Sequence, residues 1–301
     1  MLSRIAESFF WLGRYLERAE ATARMLAEHH QLLVEDQSVS DDVACAVLLD
    51  ALSLPHDGVT TGHALVLATV GTEDQRSTIV GAVSSARDNA RAIRDSLSVD
   101  TYEALNAAHM DLSRGLALRG SPGVALYKVL ERLLVVNGVI DWTMPRDEAY
   151  RFMCLGMEIE RIDMIGRLLA VRHDQLWPTA GPLATLRSAG ALSAFSRTGA
   201  PINGESVRQF LVLDATFPRS MRSCATDAEE AVRSLDRLGI GDGGALLREV
   251  GMLRSSLEYA TNPTSPNVDR LAGEARLAAV RASDEVNRAF FRQHGTIVWS
   301  H

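Results

Sequence analysis

Two short runs of this 301-residue chain set carboxylates and guanidinium groups at helical spacing. In the first, Glu17, Arg18, Glu20 and Arg24 follow Arg14; in the second, Glu160, Arg161, Asp163 and Arg167 stand at the same intervals. Acids and arginines three and four residues apart share one face of a helix, so each run can present alternating carboxylate and guanidinium groups. Several kinds of chemistry use such a set. Glu17 or Glu160 can serve as a general base while Arg18 or Arg161 neutralises a developing charge, as amide transfer or hydrolysis requires. The same groups can hold the amine or carboxylate of a substrate, with Arg14, Glu20, Arg24, Asp163 and Arg167 as the contacts. Alternatively, they pair with one another and fix the packing of two helices. A dinuclear metal site is a further use of four acids on two helices, but carboxylate-bridged bundles add Glu-x-x-His, and no His lies in either run. Neither a metal nor a cofactor is expected.

The elements that position these residues are two copies of one helix. Residues 9–26 and 152–169 superpose without a gap, Gly13 matching Gly156, Glu17 matching Glu160 and Arg24 matching Arg167. In the first copy Phe9, Leu12, Tyr15, Leu16, Ala19, Ala23 and Leu26 share one side, and Arg14, Glu17, Glu20 and Arg24 the other. In the second, Met153, Met157, Met164 and Leu168 occupy the side that is polar in the first, so the helix is apolar almost all round and should be buried. Its charges are then interior charges, which need partners. If the two helices face each other across a pseudo-twofold axis, their Glu and Arg residues build one shared buried network.

The rest of the chain reads as helices. Expected segments are 2–33, 43–54, a short one near 63–70, and a long one to Leu97 opened by a capping box at Thr72-Glu-Asp-Gln75. Further segments follow at 100–117 and 124–139, the latter a buried helix rich in Leu and Val, and from Asp147 to Val171. Pro218 is placed in the first turn of a helix running to Leu238, with 245–260 and 267–291 completing the chain. No convincing strand alternation appears, so the fold class is all-α: a multi-helix bundle, one domain over 1–301, with two pseudo-symmetric central Glu-Arg helices. His29 and His30 are expected to end the first helix, where a cation suits the helix dipole.

Composition narrows the function. A hydrophobic share of 47% supports a large core, and a formal charge of −7 argues against nucleic acid or an anionic membrane as the main partner. Cys45, Cys154 and Cys224 have no metal-ligand spacing and read as buried thiols of a reducing compartment. The apolar Phe9-Phe10-Trp11 is too short and too interrupted by charge for a membrane segment, so a cytoplasmic location is expected. Gly239–Gly244 lacks the Lys-Ser/Thr of a phosphate loop, and no Gly-x-Ser-x-Gly is present. Arg87, Arg91 and Arg94 can form a phosphate-binding stripe, but the neighbouring Asp88 and Asp95 favour a solvated face.

Leu2-Ser-Arg4, Trp11-Leu-Gly-Arg-Tyr-Leu-Glu-Arg-Ala-Glu20, Ala86–Asp95 before Tyr102-Glu-Ala-Leu-Asn106, and Phe210-Leu-Val-Leu-Asp214 before Phe217-Pro-Arg-Ser220 together resemble the bacterial alpha-E proteins. That family is all-helical and named for a Glu-Arg motif. The resemblance implies a companion of circularly permuted ATP-grasp ligases, hence a setting of ATP-driven amide or peptide bond formation with a peptide or amino-acid substrate. It maps the family motif onto Glu17, Arg18, Glu20 and Arg24, with Glu160, Arg161 and Asp163 as a second copy.

Overall fold

The computed structural model describes residues 3–113, 121–260 and 264–291. Its helices are α1 (Ser3–Glu35), α2 (Asp41–Leu52), α3 (Gly62–Val70), α4 (Ile79–Ala92), α5 (Val99–Ser113), α6 (Pro122–Thr143), α7 (Glu148–Ala170) and four-residue α8 (His173–Leu176). They continue as α9 (Gly181–Ser188), α10 (Leu192–Ser196), α11 (Gly204–Leu213), α12 (Met221–Arg237), α13 (Gly244–Glu258) and α14 (Ser265–Val286), which runs into a π turn at Asn287–Phe291. No strand occurs among the described residues, and the architecture is an all-α multi-helix bundle.

The two repeat helices, α1 and α7, lie against each other at the centre, with α4 and α6 packed on α1 and with α12 and α14 on α7. Their contacts advance together along the two helices: Phe10 and Gly13 meet Gly156 and Met153, Glu17 and Arg18 then meet Arg161 and Glu160, and Ala21 and Met25 share a lining with Ile165 and Leu168. The pair is therefore parallel and related by a pseudo-twofold axis along its length. The glycines permit the approach. A Cβ on Gly13 would stand 2.1 Å from the Met153 carbonyl oxygen, and one on Gly156 would stand 2.1 Å from that of Phe10. Gly therefore recurs at this position in both copies because two backbones cross there.

Local signals set the ends. The Asp147 carboxylate accepts the Tyr150 amide at 3.2 Å and starts α7. α2 ends at Ser53, whose φ of 56° and ψ of 44° put a serine in the left-handed region that glycine usually fills.

Glu17 and Glu20 are as buried as the apolar side of α1, because the polar face is turned onto α7 and its neighbours. Three expectations need correction. Thr72-Glu-Asp-Gln75 does not open α4. It forms a turn, and the helix starts at Ile79 with the Thr78 hydroxyl accepting the Gly81 amide at 3.3 Å. Its Gln75 carbonyl lies over Gly81, where no side chain fits. Pro218 precedes α12 rather than entering it, and Ser220 is the cap. Finally, α6 is buried on one face alone, and Val124, Tyr127, Leu134, Val135 and Trp142 are exposed. An end of α5 at Ala117 lies outside the described residues. Arg87 donates to Asn106 at 2.9 Å and Arg94 lies over the Tyr102 ring, so two of that stripe's three arginines tie α4 and the 3-10 turn Arg94–Ser96 that follows it to α5.

Candidate functional site

The repeat pattern becomes a reciprocal exchange of arginines. Arg18 of α1 donates to Glu160 of α7 at 2.6 and 3.1 Å, and Arg161 of α7 donates to Glu17 of α1 at 3.0 and 2.8 Å. Both glutamates are fully buried, which requires the charge-assisted bonds that each receives. The next turn repeats the logic within each helix: Arg24 donates to Glu20 at 2.9 Å, and Arg167 to Asp163 at 2.6 Å.

The symmetry breaks at the third shared partner. Glu160 also accepts from Arg14 at 2.6 Å, whose other nitrogen donates to Ser283 of α14 at 2.6 Å. The residue equivalent to Arg14 in α7 is Met157, which cannot donate. Arg219 takes its place, bonding Glu17 through Nη2 and Glu20 through Nη1 at 3.4 Å. A turn aims Arg219. The Asp214 carboxylate accepts the Thr216 and Phe217 amides at 2.8 and 2.7 Å, and Ser220 donates its hydroxyl to the Asp214 carbonyl at 2.5 Å. On the other side, Asp163 receives Arg276 of α14 at 3.2 Å.

Over residues 1–291 the chain matches the model of the Alpha-E family, described as a predicted alpha-helical domain with a conserved ER motif. This chain belongs to the Alpha-E family. Proteins of Mycobacterium bovis and Mycobacterium tuberculosis, both named as uncharacterized, are 24% identical to it over 252 residues, spanning 72% of this chain and 28% of theirs. A protein of a second M. tuberculosis strain is 23% identical over the same length. The Alpha-E chain thus spans little more than a quarter of these relatives. No solved structure matches it.

Within the Alpha-E core, burial works against the charged forms of Glu20, Asp163, Arg18 and Arg161, and their partners overcome it. Burial would raise the Glu20 and Asp163 pKa values. Arg219 and Arg24 around Glu20, and Arg167 and Arg276 around Asp163, hold both below the usual carboxylate range. Burial likewise acts to lower the guanidinium pKa of Arg18 and Arg161, and the facing glutamates push both above their ordinary value. Glu158 goes the other way: burial raises its carboxyl, and Arg161, 2.9 Å away, offsets only part of that. No group of three or more His, Cys, Asp or Glu side chains among the described residues is arranged to hold a metal ion.

All nine residues singled out in the sequence, from Arg14 to Arg167, fall in this network. Arg219, Arg276, Asn137 and Glu158 were not singled out. Asn137 donates to Glu20 at 2.7 Å from α6. Of the four, Arg219 alone left a trace, inside the Phe217-Pro-Arg-Ser220 run; Arg276 and Asn137 are isolated polar residues on other helices, and Glu158, although within the second repeat, has Tyr15 as its counterpart and so falls outside the matched pattern. His29 requires a correction. It is no helix-end cation but a fully buried ring that bonds the Ala44 carbonyl at 2.9 Å and His173 at 3.0 Å. Burial depresses its pKa to about 4 and that of His173 to about 3, so the pair is neutral at pH 7.

Proposed function

We propose that this chain is a single-domain, cytoplasmic helical accessory subunit of an ATP-grasp amide or peptide ligase system, docking on the ligase through its surface while the Glu-Arg network braces its core. The observation that carries this reading is the exposed stripe on α6. Val124, Tyr127, Leu134, Val135 and Trp142 recur at helical spacing on one face, with Tyr127 74% and Trp142 89% exposed. Aromatic and aliphatic side chains in such a row are what a partner helix or groove buries. The ATP-grasp partner follows from the family resemblance. The length of the mycobacterial relatives supports it, since there the matching region adjoins a much longer stretch of chain. The absence of a phosphate-loop motif in the sequence is in keeping with ATP chemistry residing in the partner. No helix among the described residues is long and apolar enough to cross a membrane.

Direct catalysis by Glu17 or Glu160 has less support. Each carboxylate is fully buried and accepts from two arginines, which leaves no open oxygen to take a proton from a substrate. The test is co-purification with the neighbouring ATP-grasp ligase, followed by ATP turnover with an amino-acid panel in the presence and absence of this chain. A complex that Trp142→Asp weakens by about tenfold or more, with turnover dependent on this chain, is the expected result. No complex and unchanged turnover would sink the proposal.

A further inference from the structure

The two flanks of the α1–α7 pair each enclose a hollow, and the hollows are pseudo-symmetry mates. One is lined by Arg18, Thr22, Met164 and Arg167, with Leu52, Ser53 and Ser77 at its outer side, and measures about 110 Å³. The other has Arg161, Ile165 and Ala21 at the equivalent positions, together with Glu17 and Arg219, and measures about 10 Å³. One water needs roughly 10–15 Å³, so the second hollow is closed and the first has room for a small molecule or head group. It is too small for a nucleotide, whose sites run to roughly 300 Å³ or more.

Three observations point to what the larger hollow holds. Charge is the first. Its lining holds Arg18 and Arg167, and the two carboxylates they pair with, Glu160 and Asp163, are each shared with a further arginine outside the lining, Arg14 and Arg276, so four guanidinium groups stand against two carboxylates. On the closed flank Arg24, Arg161 and Arg219 face Glu17, Glu20 and Glu158, which balances. Two positive charges thus lack a counter-charge on the open flank, and a partly buried excess of that kind favours an anion.

The second is Thr22, whose residue exposure is 1% and whose hydroxyl has no hydrogen-bond partner although it lines the hollow. A buried hydroxyl left without a partner costs stability unless something supplies the bond. The third is Ser53. Its left-handed backbone would suit glycine, yet it carries a side chain whose hydroxyl accepts from Arg167 Nη1 at 2.9 Å at the exposed mouth. Arg18 uses Nε and Nη2 on Glu160, and Arg167 uses Nε and Nη1, which leaves Nη1 of the first and Nη2 of the second without a bond among the described residues.

We propose that this hollow is a binding site for a small oxyanion, the carboxylate end of an amino acid or peptide, held by Arg18 and Arg167 with Thr22 and Ser53 donating their hydroxyl protons. The choice of a carboxylate rests on the accessory-subunit reading; the oxyanion site itself does not. Guanidinium groups match the planar, two-oxygen geometry of such a ligand, and its charge would offset the excess around it.

The test is calorimetry and thermal melting of the full chain at constant ionic strength with N-acetylglycine, N-acetylglycine amide and inorganic phosphate. Saturable heat and a rising melting temperature are expected with N-acetylglycine and not with its amide. Thr22→Ile, which copies Ile165 of the closed flank, should weaken that binding by at least about tenfold while the variant melts no lower than the parent. Should Thr22→Ile misfold, Thr22→Val reads the same hydroxyl without added volume. Binding of phosphate but not of N-acetylglycine overturns the carboxylate assignment. A response to neither, or one that the Thr22 variants leave unchanged, overturns the site. A chain that binds N-acetylglycine but captures no ligase keeps this site and loses the accessory reading, so the two fail separately.

Discussion

The two flanks of the central helix pair start from one sequence pattern and end with different chemistry. On the closed flank Arg219, delivered by the turn before α12, serves both Glu17 and Glu20, and Ile165 fills the space beside them. On the open flank the same work is divided between Arg14 and Arg276, and Thr22 stands where isoleucine would fill. A repeat thus supplies a symmetric frame, and the residues outside the symmetry decide which side is plugged. Arg219, Met157 and Thr22 carry that difference.

The largest expected effect comes from removing one glutamate from each flank. Glu160→Ala should cost about 3–5 kcal/mol, because it strands Arg14 and Arg18, neither of which pairs with a second acid. Glu17→Ala should cost less, since Arg161 keeps Glu158 and Arg219 keeps Glu20. Denaturant unfolding of both variants decides the matter; equal losses, or a larger one for Glu17→Ala, would break the contrast between flanks.

Acid should act on both flanks late and on the histidine pair early. His29 and His173 have folded pKa values depressed from 6.5 to about 4 and about 3, so the unfolded chain binds protons first. Their contribution is fully present above about pH 6.5 and declines as pH falls toward pH 4 and below, each unit of depression being worth about 1.4 kcal/mol. Glu20 and Asp163, held low by their arginines, contribute above the ordinary carboxylate range and lose that contribution as pH falls below it. Melting against pH should therefore fall in two stages. Without a loss between pH 6.5 and 4, the neutral histidine pair would have to be abandoned.

Smaller effects test the frame and the hollow. Gly13→Ala and Gly156→Ala should each destabilise by about 1–3 kcal/mol and by similar amounts, because each presses a methyl group on the other helix's backbone. Unequal values would show that the crossing is less symmetric than its contacts. Thr22→Ile should change stability least, by about 1 kcal/mol or less and toward greater stability, since it replaces an unpartnered hydroxyl with apolar volume in a space that exists. A loss of several kcal/mol would mean that the open hollow tolerates no filling.

Much of the fold was legible because the signals are local. Helical periodicity, Pro145 before α7 and the Asp147 cap mark elements wherever they sit in space. Where two local signals compete, reading failed: Thr72 to Gln75 has the letters of a capping box, but Gly81 needs the Gln75 carbonyl above it, and that close approach moves the helix start to Ile79. The exposure of α6 was hidden for a different reason. Its Val and Leu residues look like core, and nothing local to the helix records that one of its sides stays exposed among the described residues.

By itself, the sequence determined that two copies of one helix carry buried acids and arginines, and that these must pair, since an unpaired charge in an apolar helix costs too much to persist. It also set a glycine at the same place in both copies, Gly13 and Gly156; that the two backbones cross there was seen in the structure. The tertiary structure alone decided which arginine meets which acid, because Arg219 and Arg276 reach the centre from helices and turns far along the chain. That choice left one flank balanced and closed and the other open with two charges in excess, because a side chain's counter-charge is set by what folds against it rather than by what precedes it.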